Sequence, residues 1–392
     1  MPLTEVNAVA RGSPINFIGD PASHALVEDG AALCLSGGGY RAMLFHLGVL
    51  WRLYEVKELK GLKRVSSVSG GSITAGVLAL AWSKLSFDPA GLRDEFVPHV
   101  VAPVRVLAGR TLDRTAVLGG IFLPGTIGEH VAAAYDEHLF HGATLQDLPD
   151  DAEGAAPRFV INATSVQSGA LWRFSRPFMG DWRVGRIERP TLRLALAVAA
   201  SSAFPPVLSP LEIPLDAAQV RRDPGSDLNR EPYTSRTVLT DGGVYDNLGL
   251  ETVWKRYRTV FVSDGGGLMA PEPEPHSDWA RHAYRVLNLV DSQVRALRKR
   301  QVVGSFMDGS RKGAYWSIRS AAANYPSQKN LDCPHERTLR LAEEPTRLKR
   351  MEPTLQERLI NWGYALCDMA LRSHHNTELP APTSFPYPQS AP

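Results

Sequence analysis

The chain has 392 residues, 44% hydrophobic and 21% charged, an ordinary globular composition with enough length for a large core. A formal net charge of +2 gives no electrostatic ground for binding nucleic acid, and three widely spaced cysteines, Cys34, Cys333 and Cys367, fit neither a disulfide framework nor a zinc site. No stretch approaches the ~18 apolar residues that span a bilayer, and Met1 to Asp20 lacks the basic start and apolar run of a signal peptide. The expectation is a cytoplasmic protein in a reducing setting, meeting a membrane only at its periphery.

Residues 1–30 read as an irregular N-terminal segment. Ala31 to Ser36 is a short apolar run ending in Gly37-Gly38-Gly39, which predicts a buried strand feeding a glycine loop. Arg41 to Lys60 then carries Met43, Leu44, Leu47, Leu50, Trp51 and Tyr54 at helical spacing. In Val65-Ser66-Ser67-Val68-Ser69-Gly70-Gly71-Ser72 a β-branched lead-in stops at a serine, and Ser72 to Trp82 reads as a buried helix. This strand–helix–strand–helix order predicts a parallel sheet covered by helices.

Asp88 to Leu139 is mostly helical in pattern, broken at Pro98, Pro103 and Pro124. Leu148 to Pro157 is an acidic loop, and Arg158–Thr164 with Ala170–Phe174 forms an expected hairpin. Leu192 to Ala203 reads as a helix stopped by Phe204-Pro205-Pro206, and Arg221 to Arg236 as a surface excursion. Thr237–Thr240 is a strand leading into Asp241-Gly242-Gly243; Val260–Asp264 is another leading into Gly265-Gly266-Gly267.

Trp279 to Val303 holds the longest helical pattern, with Trp279, Ala283, Val286, Val290, Val294 and Leu297 stepping by three and four. Its cations, Arg281, Arg285, Arg295, Arg298, Lys299 and Arg300, could attract anionic lipid; the preferred expectation is a solvated polar face on a helix packed against the sheet. Ala314–Ile318 is a late strand and Leu355–Leu371 a last helix. Residues 373–392, with five prolines, are expected to be disordered. No repeat and no linker divides the chain, so 31–372 is read as one domain with insertions.

Three glycine turns, Gly37–Gly39, Gly70–Gly71 and Gly242–Gly243, each follow an expected strand. Ligands of open α/β sheets sit outside the carboxyl ends of strands, so these turns are expected to meet. The first lacks the Gly-Lys-Ser/Thr of a P-loop and the spacing of a dinucleotide fingerprint. Its other use is an oxyanion hole, in which glycine N–H groups approach a reacting oxygen and Arg41 adds positive potential. The second turn has the form of a nucleophile elbow presenting Ser69 at a helix start, with Ser67 where the pattern has a first glycine. The third offers Asp241 as the base that a serine needs, and Asp264, with the same local sequence, competes for that role. His276, His282 and His335 follow Asp241 and leave a Ser-Asp-His triad open as a second arrangement.

Gly37-Gly38-Gly39-Tyr40-Arg41-Ala42, Ser67-Val68-Ser69-Gly70-Gly71 and Asp241-Gly242-Gly243, in that order, resemble the patatin-like phospholipases. Ala200-Ser201-Ser202-Ala203-Phe204-Pro205-Pro206 and Val244-Tyr245-Asp246-Asn247-Leu248-Gly249 extend the resemblance, which covers 33–267. It departs at Ala42 and Ser67, both small residues in place of glycine. The resemblance implies an α/β three-layer sandwich with a mostly parallel central sheet. It implies Ser69 as nucleophile and Asp241 as base, an oxyanion hole at Gly37, Gly38, Gly39 and Arg41, and an elbow supported by Ser67, Gly70, Gly71 and Gly242. It implies no metal and no cofactor. The expected activity is lipid acyl hydrolysis of the phospholipase A or lysophospholipase type, through an acyl-enzyme, on phospholipid or another acyl-lipid. The alternatives are an esterase or thioesterase on soluble acyl substrates, and an inactive scaffold that binds lipid or a partner.

Overall fold

A computed structural model describes residues 27–112, 126–152, 154–206 and 208–392. The irregular segment expected at the N-terminus and the break expected at Pro124 therefore lie largely or wholly outside the described residues. In chain order the first half contains β1 (Glu28–Leu35), α1 (Gly39–Glu55), β2 (Leu62–Ser67), α2 (Gly70–Ala81), α3 (Ala102–Ala108), α4 (Ile127–Tyr135), β3 (Arg158–Ser165), β4 (Leu171–Phe174), β5 (Phe178–Asp181) and β6 (Gly185–Glu188). The second half adds α5 (Leu194–Ser201), β7 (Leu211–Pro214), β8 (Arg236–Asp241), α6 (Gly243–Asp246), α7 (Glu251–Trp254), β9 (Tyr257–Asp264), α8 (Trp279–Met307), β10 (Lys312–Ser317), α9 (His335–Glu343) and α10 (Pro353–His374).

The strands form one ten-stranded mixed sheet in the order β10-β9-β1-β2-β3-β4-β5-β6, with β8 on β3 and β7 on β8. The expected parallel core is the run from β10 to β3; every pairing beyond β3 is antiparallel. The short strands β5, β6 and β7 escape the sequence reading because four residues hold no more than two per face, too few for a periodic signal.

β1 shows why both faces are covered. Its side chains alternate, so Leu33 and Leu35 enter one core and Ala32 and Cys34 the other. The first core holds α1, α2, α5 and α10. The second is smaller and is closed by Leu248, Leu250 and Val253 around α7 and by Val302 from the end of α8. The result is an α/β three-layer fold. α1 and α10 cross at backbone contact: a Cβ at Gly48 would lie 1.9 Å from the Ile360 carbonyl, and one at Gly363 1.9 Å from that of Phe45.

Two expectations are corrected. Residues 373–392 pack on the body. The buried Asn361 amide donates to the carbonyls of Tyr387 (2.8 Å) and Ser390 (2.7 Å), and the Arg105 guanidinium lies 4.6 Å from the Tyr387 ring centroid. Proline prevents regular structure there, but packing needs only partners for the backbone, and Asn361 supplies them.

The second correction is α8, which is inverted. Three of its cations turn inward: Lys299 pairs with Asp264 (2.7 Å), Arg298 with Glu251 (2.9 Å), and Arg295 donates to Gly267 O (2.8 Å), while Arg281 and Arg300 stay exposed. Its apolar stripe, with Trp279 (85% exposed), Val286, Leu287, Val290 and Leu297, turns outward. The stripe is as regular as a core-facing one, and only the tertiary ion pairs reveal which side faces in. No helix among the described residues is long and apolar enough to cross a membrane.

Candidate active site

The site forms where two strands share one edge of β3. β4 occupies the far edge, so β2, along Arg158–Ile161, and β8, along Ala163–Ser165, follow one another on the near edge. Ser69 lies just past the end of β2 and Asp241 is the last residue of β8, so the two meet head-on beside Asn162. The glycine turns do converge, but β8 runs antiparallel to β3, and Asp241 arrives against the strand direction that the sequence suggests. Asn162 holds the join: its amide donates to Ser66 Oγ and to Ser67 O, both at 2.9 Å, and its carbonyl accepts from Ser201 Oγ (2.7 Å).

Ser69 has φ 51° and ψ −119° immediately before α2, a strained conformation for a residue with a side chain. It is held by Ser201 Oγ, which accepts from the Ser69 N–H (2.9 Å), and by Ser72 and Ile73, whose N–H groups donate to Ser69 O. Gly70 and Gly71 press on the first glycine loop. A Cβ at Gly70 would come within 2.2 Å of Gly39 O, and one at Gly71 within 2.4 Å of Leu35 O. Ser67 fits where a first glycine is usual, since its hydroxyl accepts from Ser72 Oγ (3.0 Å) and donates to Val160 O (3.4 Å).

The first glycine loop divides its roles. The Gly37 N–H is committed to Asn247 O (3.1 Å). Gly38 (φ 147°) and Gly39 (φ 60°) have backbones that only glycine adopts readily; among the described residues their N–H groups have no acceptor, and both line the cavity beside Ser69. Arg41 does not join them. Its buried guanidinium donates to Gly265 O (3.1 and 3.2 Å), Thr346 Oγ1 (3.0 Å) and Glu344 O, so it clamps neighbouring loops. From beneath, His46 bridges Ser36 O (2.9 Å) and Ser263 Oγ (2.8 Å), and burial keeps this imidazole neutral, its pKa near 4.

The Asp241 carboxylate is buried and accepts from the Gly243 N–H (2.7 Å), and the neighbouring Ser69 hydroxyl also favours its charged form. Burial raises its pKa to about 7, and the Gly243 and Ser69 groups only partly oppose the rise. Gly242 is required beside it, because a Cβ there would lie 2.3 Å from Asn162 O. Asp264 does not reach the site: it is saturated by Lys299, by Tyr315 Oη (2.8 Å) and by the Gly266 N–H (2.9 Å). His276, His282 and His335 are exposed and do not line the cavity.

Ser69 and Asp241 open into a cavity of about 840 Å³. Phe204, Pro205, Pro206 and Leu208 form one wall, Leu268 to Ala270 a second, and Tyr284, Asn288 and Asp291 of α8 a third. Sequence reasoning missed Ser201, Asn247 and Asn162 as parts of the site. They act through backbone groups distant in the chain, and only the short Ser201 and Asn247 segments near recognisable motifs hinted at them. Among the described residues no group of acidic, histidine and cysteine side chains could hold a metal ion.

The family profile described as patatin-like phospholipase matches residues 33–254. Among solved structures, human GIVD cytosolic phospholipase A2 in complex with methyl gamma-linolenyl fluorophosphonate is similar with a TM-score of 0.50 and 15% identity, over 93% of this chain and 60% of that one. VipD from Legionella pneumophila gives a TM-score of 0.39 and 15% identity over 89% and 68%. At 15% identity the likeness to the human structure is one of fold, and this chain spans about 60% of its length. No curated protein matches the sequence.

Proposed function

The chain belongs to the patatin-like phospholipase family, and from that premise we propose that it hydrolyses fatty acyl esters of lipids, with Ser69 as nucleophile and Asp241 as its base. One observation carries the reading. A serine held strained at a helix start opens into the same largely apolar cavity as a buried carboxylate poised near neutral pH. A carboxylate with an ordinary pKa near 4 is a weak base; one near 7 suits proton transfer at neutral pH.

In the proposed mechanism Ser69 Oγ attacks the ester carbonyl carbon as its proton passes to Asp241. The oxyanion is held by the N–H groups of Gly38 and Gly39, with the α2 N-terminus adding positive potential. The leaving alkoxide takes the proton from Asp241, and an acyl-serine remains. A water then gives a proton to Asp241 and attacks the acyl carbon. The fatty acid leaves, and the proton returns to Ser69 Oγ. No histidine is needed.

The outward stripe of α8 favours a lipid aggregate over soluble esters. It runs beside the cavity mouth, where Leu268 is 63% exposed and Tyr284 lines the wall. A membrane delivering an acyl chain to the mouth would cover the stripe at the same time.

The test is mass spectrometry after labelling with a fluorophosphonate probe, on wild type and Ser69→Ala, with and without phospholipid vesicles. Label on Ser69, absent from the variant, is the expected result. A folded wild type that stays unlabelled beside vesicles would sink the hydrolase reading and leave a lipid-binding scaffold. Substituting Trp279, Leu287 and Val290 by serine should lower vesicle hydrolysis at least tenfold and leave kcat/KM on a soluble short-chain ester unchanged. An equal loss on both substrates would argue against a docking role for the stripe.

A further inference from the structure

A second cavity, of about 420 Å³, shares no lining residue with the first. Its floor is β2 with the antiparallel wing, β3 to β6, and its wall is formed by α6, α7 and the residues after them. Six basic side chains line it, Arg64, Arg158, Arg173, Arg186, Lys255 and Arg256, against three carboxylates, Asp181, Asp223 and Glu251. Those carboxylates are already engaged. Asp181 accepts from Ser168 Oγ and from the N–H groups of Arg183 and Val184, Asp223 pairs with Arg186 (3.1 Å), and Glu251 is shared by Lys255 and Arg298. From outside the lining, Asp151 pairs with Arg158 (2.6 Å) and Glu28 with Arg256 (3.2 Å).

Arg64 is the informative residue. It is only 7% exposed, and among the described residues no carboxylate pairs with it. Its Nη1 donates to Thr252 O (2.6 Å), its Nε has no acceptor, and its guanidinium sits 5.4 Å from the Tyr257 ring centroid. Burial lowers its pKa to about 10, and Arg256, Arg158 and Arg173 push in the same direction. A buried cation without a carboxylate partner is costly unless an anion joins it.

We propose that this cavity binds the phosphate group of a small ligand, held by Arg64 with Arg173 beside it, with the rest of the ligand against Phe178, Trp182 and Tyr245. The planar guanidinium fork matches phosphate oxygens two at a time. The volume lies within the range of small-ligand sites. The phosphate could belong to a soluble ester or to a lipid head group, and both present the same oxygens.

The proposal is independent of the hydrolase reading, and its test reads binding. Inorganic pyrophosphate is titrated into the full chain by calorimetry and by thermal unfolding at low, matched ionic strength, with wild type, Ser69→Ala, Arg64→Gln and Arg173→Gln. Wild type and Ser69→Ala should bind one equivalent and show a rise in Tm that shrinks with added salt. Both arginine variants should bind at least tenfold more weakly, and unliganded Arg64→Gln should unfold at or above the wild-type Tm because a repulsion is removed. Should Arg64→Gln fail to fold, Arg173→Gln on the cavity floor decides alone. Competition by phosphatidic acid vesicles would identify a head-group source, and its absence a soluble one. Folded wild type without heat or Tm shift at millimolar pyrophosphate would overturn the proposal, as would equal binding by both arginine variants.

Discussion

Asp241 and Asp264 are a natural controlled pair. Each ends a strand, each is followed by two glycines, each is buried, and each accepts from the N–H two residues later, at 2.7 Å in one case and 2.9 Å in the other. Their chemistry is opposite. Asp241 meets a serine hydroxyl and a cavity, and burial lifts its pKa to about 7. Asp264 is pushed up by burial too, but the Lys299 ammonium at 2.7 Å, with the Gly266 and Tyr315 hydrogen bonds, outweighs burial and holds its carboxyl below the ordinary value. A short motif sets the backbone; a cation brought from a distant helix sets the protonation state.

The sharpest way to break this comparison is to neutralise each aspartate in turn. Asp241→Asn should reduce kcat on a lipid ester by about 10²–10⁴-fold, the range of lost general-base catalysis, with no loss of Tm at pH 7. Asp264→Asn should do the reverse. It strands Lys299 against a neutral partner and should cost about 3 kcal/mol in urea unfolding, the low end for a broken buried pair because Lys299 is partly solvated, with kcat changed by little. A large kcat loss in Asp264→Asn, at a temperature where it is fully folded, would exchange the two roles.

pH sharpens the contrast further. If Asp241 acts as an ionised base, kcat/KM should fall about tenfold per unit below pH 7 and level off above it. The stability signs are opposed. Asp241 has a raised native pKa, so its contribution is complete below its unfolded value near 4 and is lost as pH rises through about 7. The Tm of Asp241→Asn relative to wild type should therefore be higher at pH 8 than at pH 5. Asp264 has a lowered native pKa, so its contribution is present above pH ~4 and is lost as pH falls through the native value. The smallest effect belongs to Tyr315→Phe, which removes one donor from Asp264 and should cost about 1 kcal/mol in urea unfolding with kcat unaltered.

These two aspartates also show where the sequence stops being legible. The glycine turns could be read because their information is local: a β-branched run, a small residue, a helix pattern. That Asp264 is neutralised could not be read, because it depends on which face of α8 turns inward. Arg41 misled for the same reason. It sits beside the glycine loop in the chain, yet its guanidinium is drawn to the carbonyls of Gly265 and Glu344. The hairpin at β3 and β4 was visible, whereas the arrival of β8 on the same edge as β2 has no sequence signal. The tail was misjudged from its prolines, since composition reports the absence of regular structure and not the absence of partners such as Asn361.

The family-matched stretch ends at residue 254, three residues before β9 begins. Yet β1, which feeds the glycine loop, is an interior strand only because β9 pairs along it. A protein cut at that boundary would keep every recognisable motif and expose a long, flat, apolar strand edge, an open template for strand addition by another copy. Such a fragment should therefore come out of cells as aggregate, however intact its signature residues. The portion of the chain that similarity identifies and the portion that keeps β1 inside the sheet are different objects, and the second is the larger.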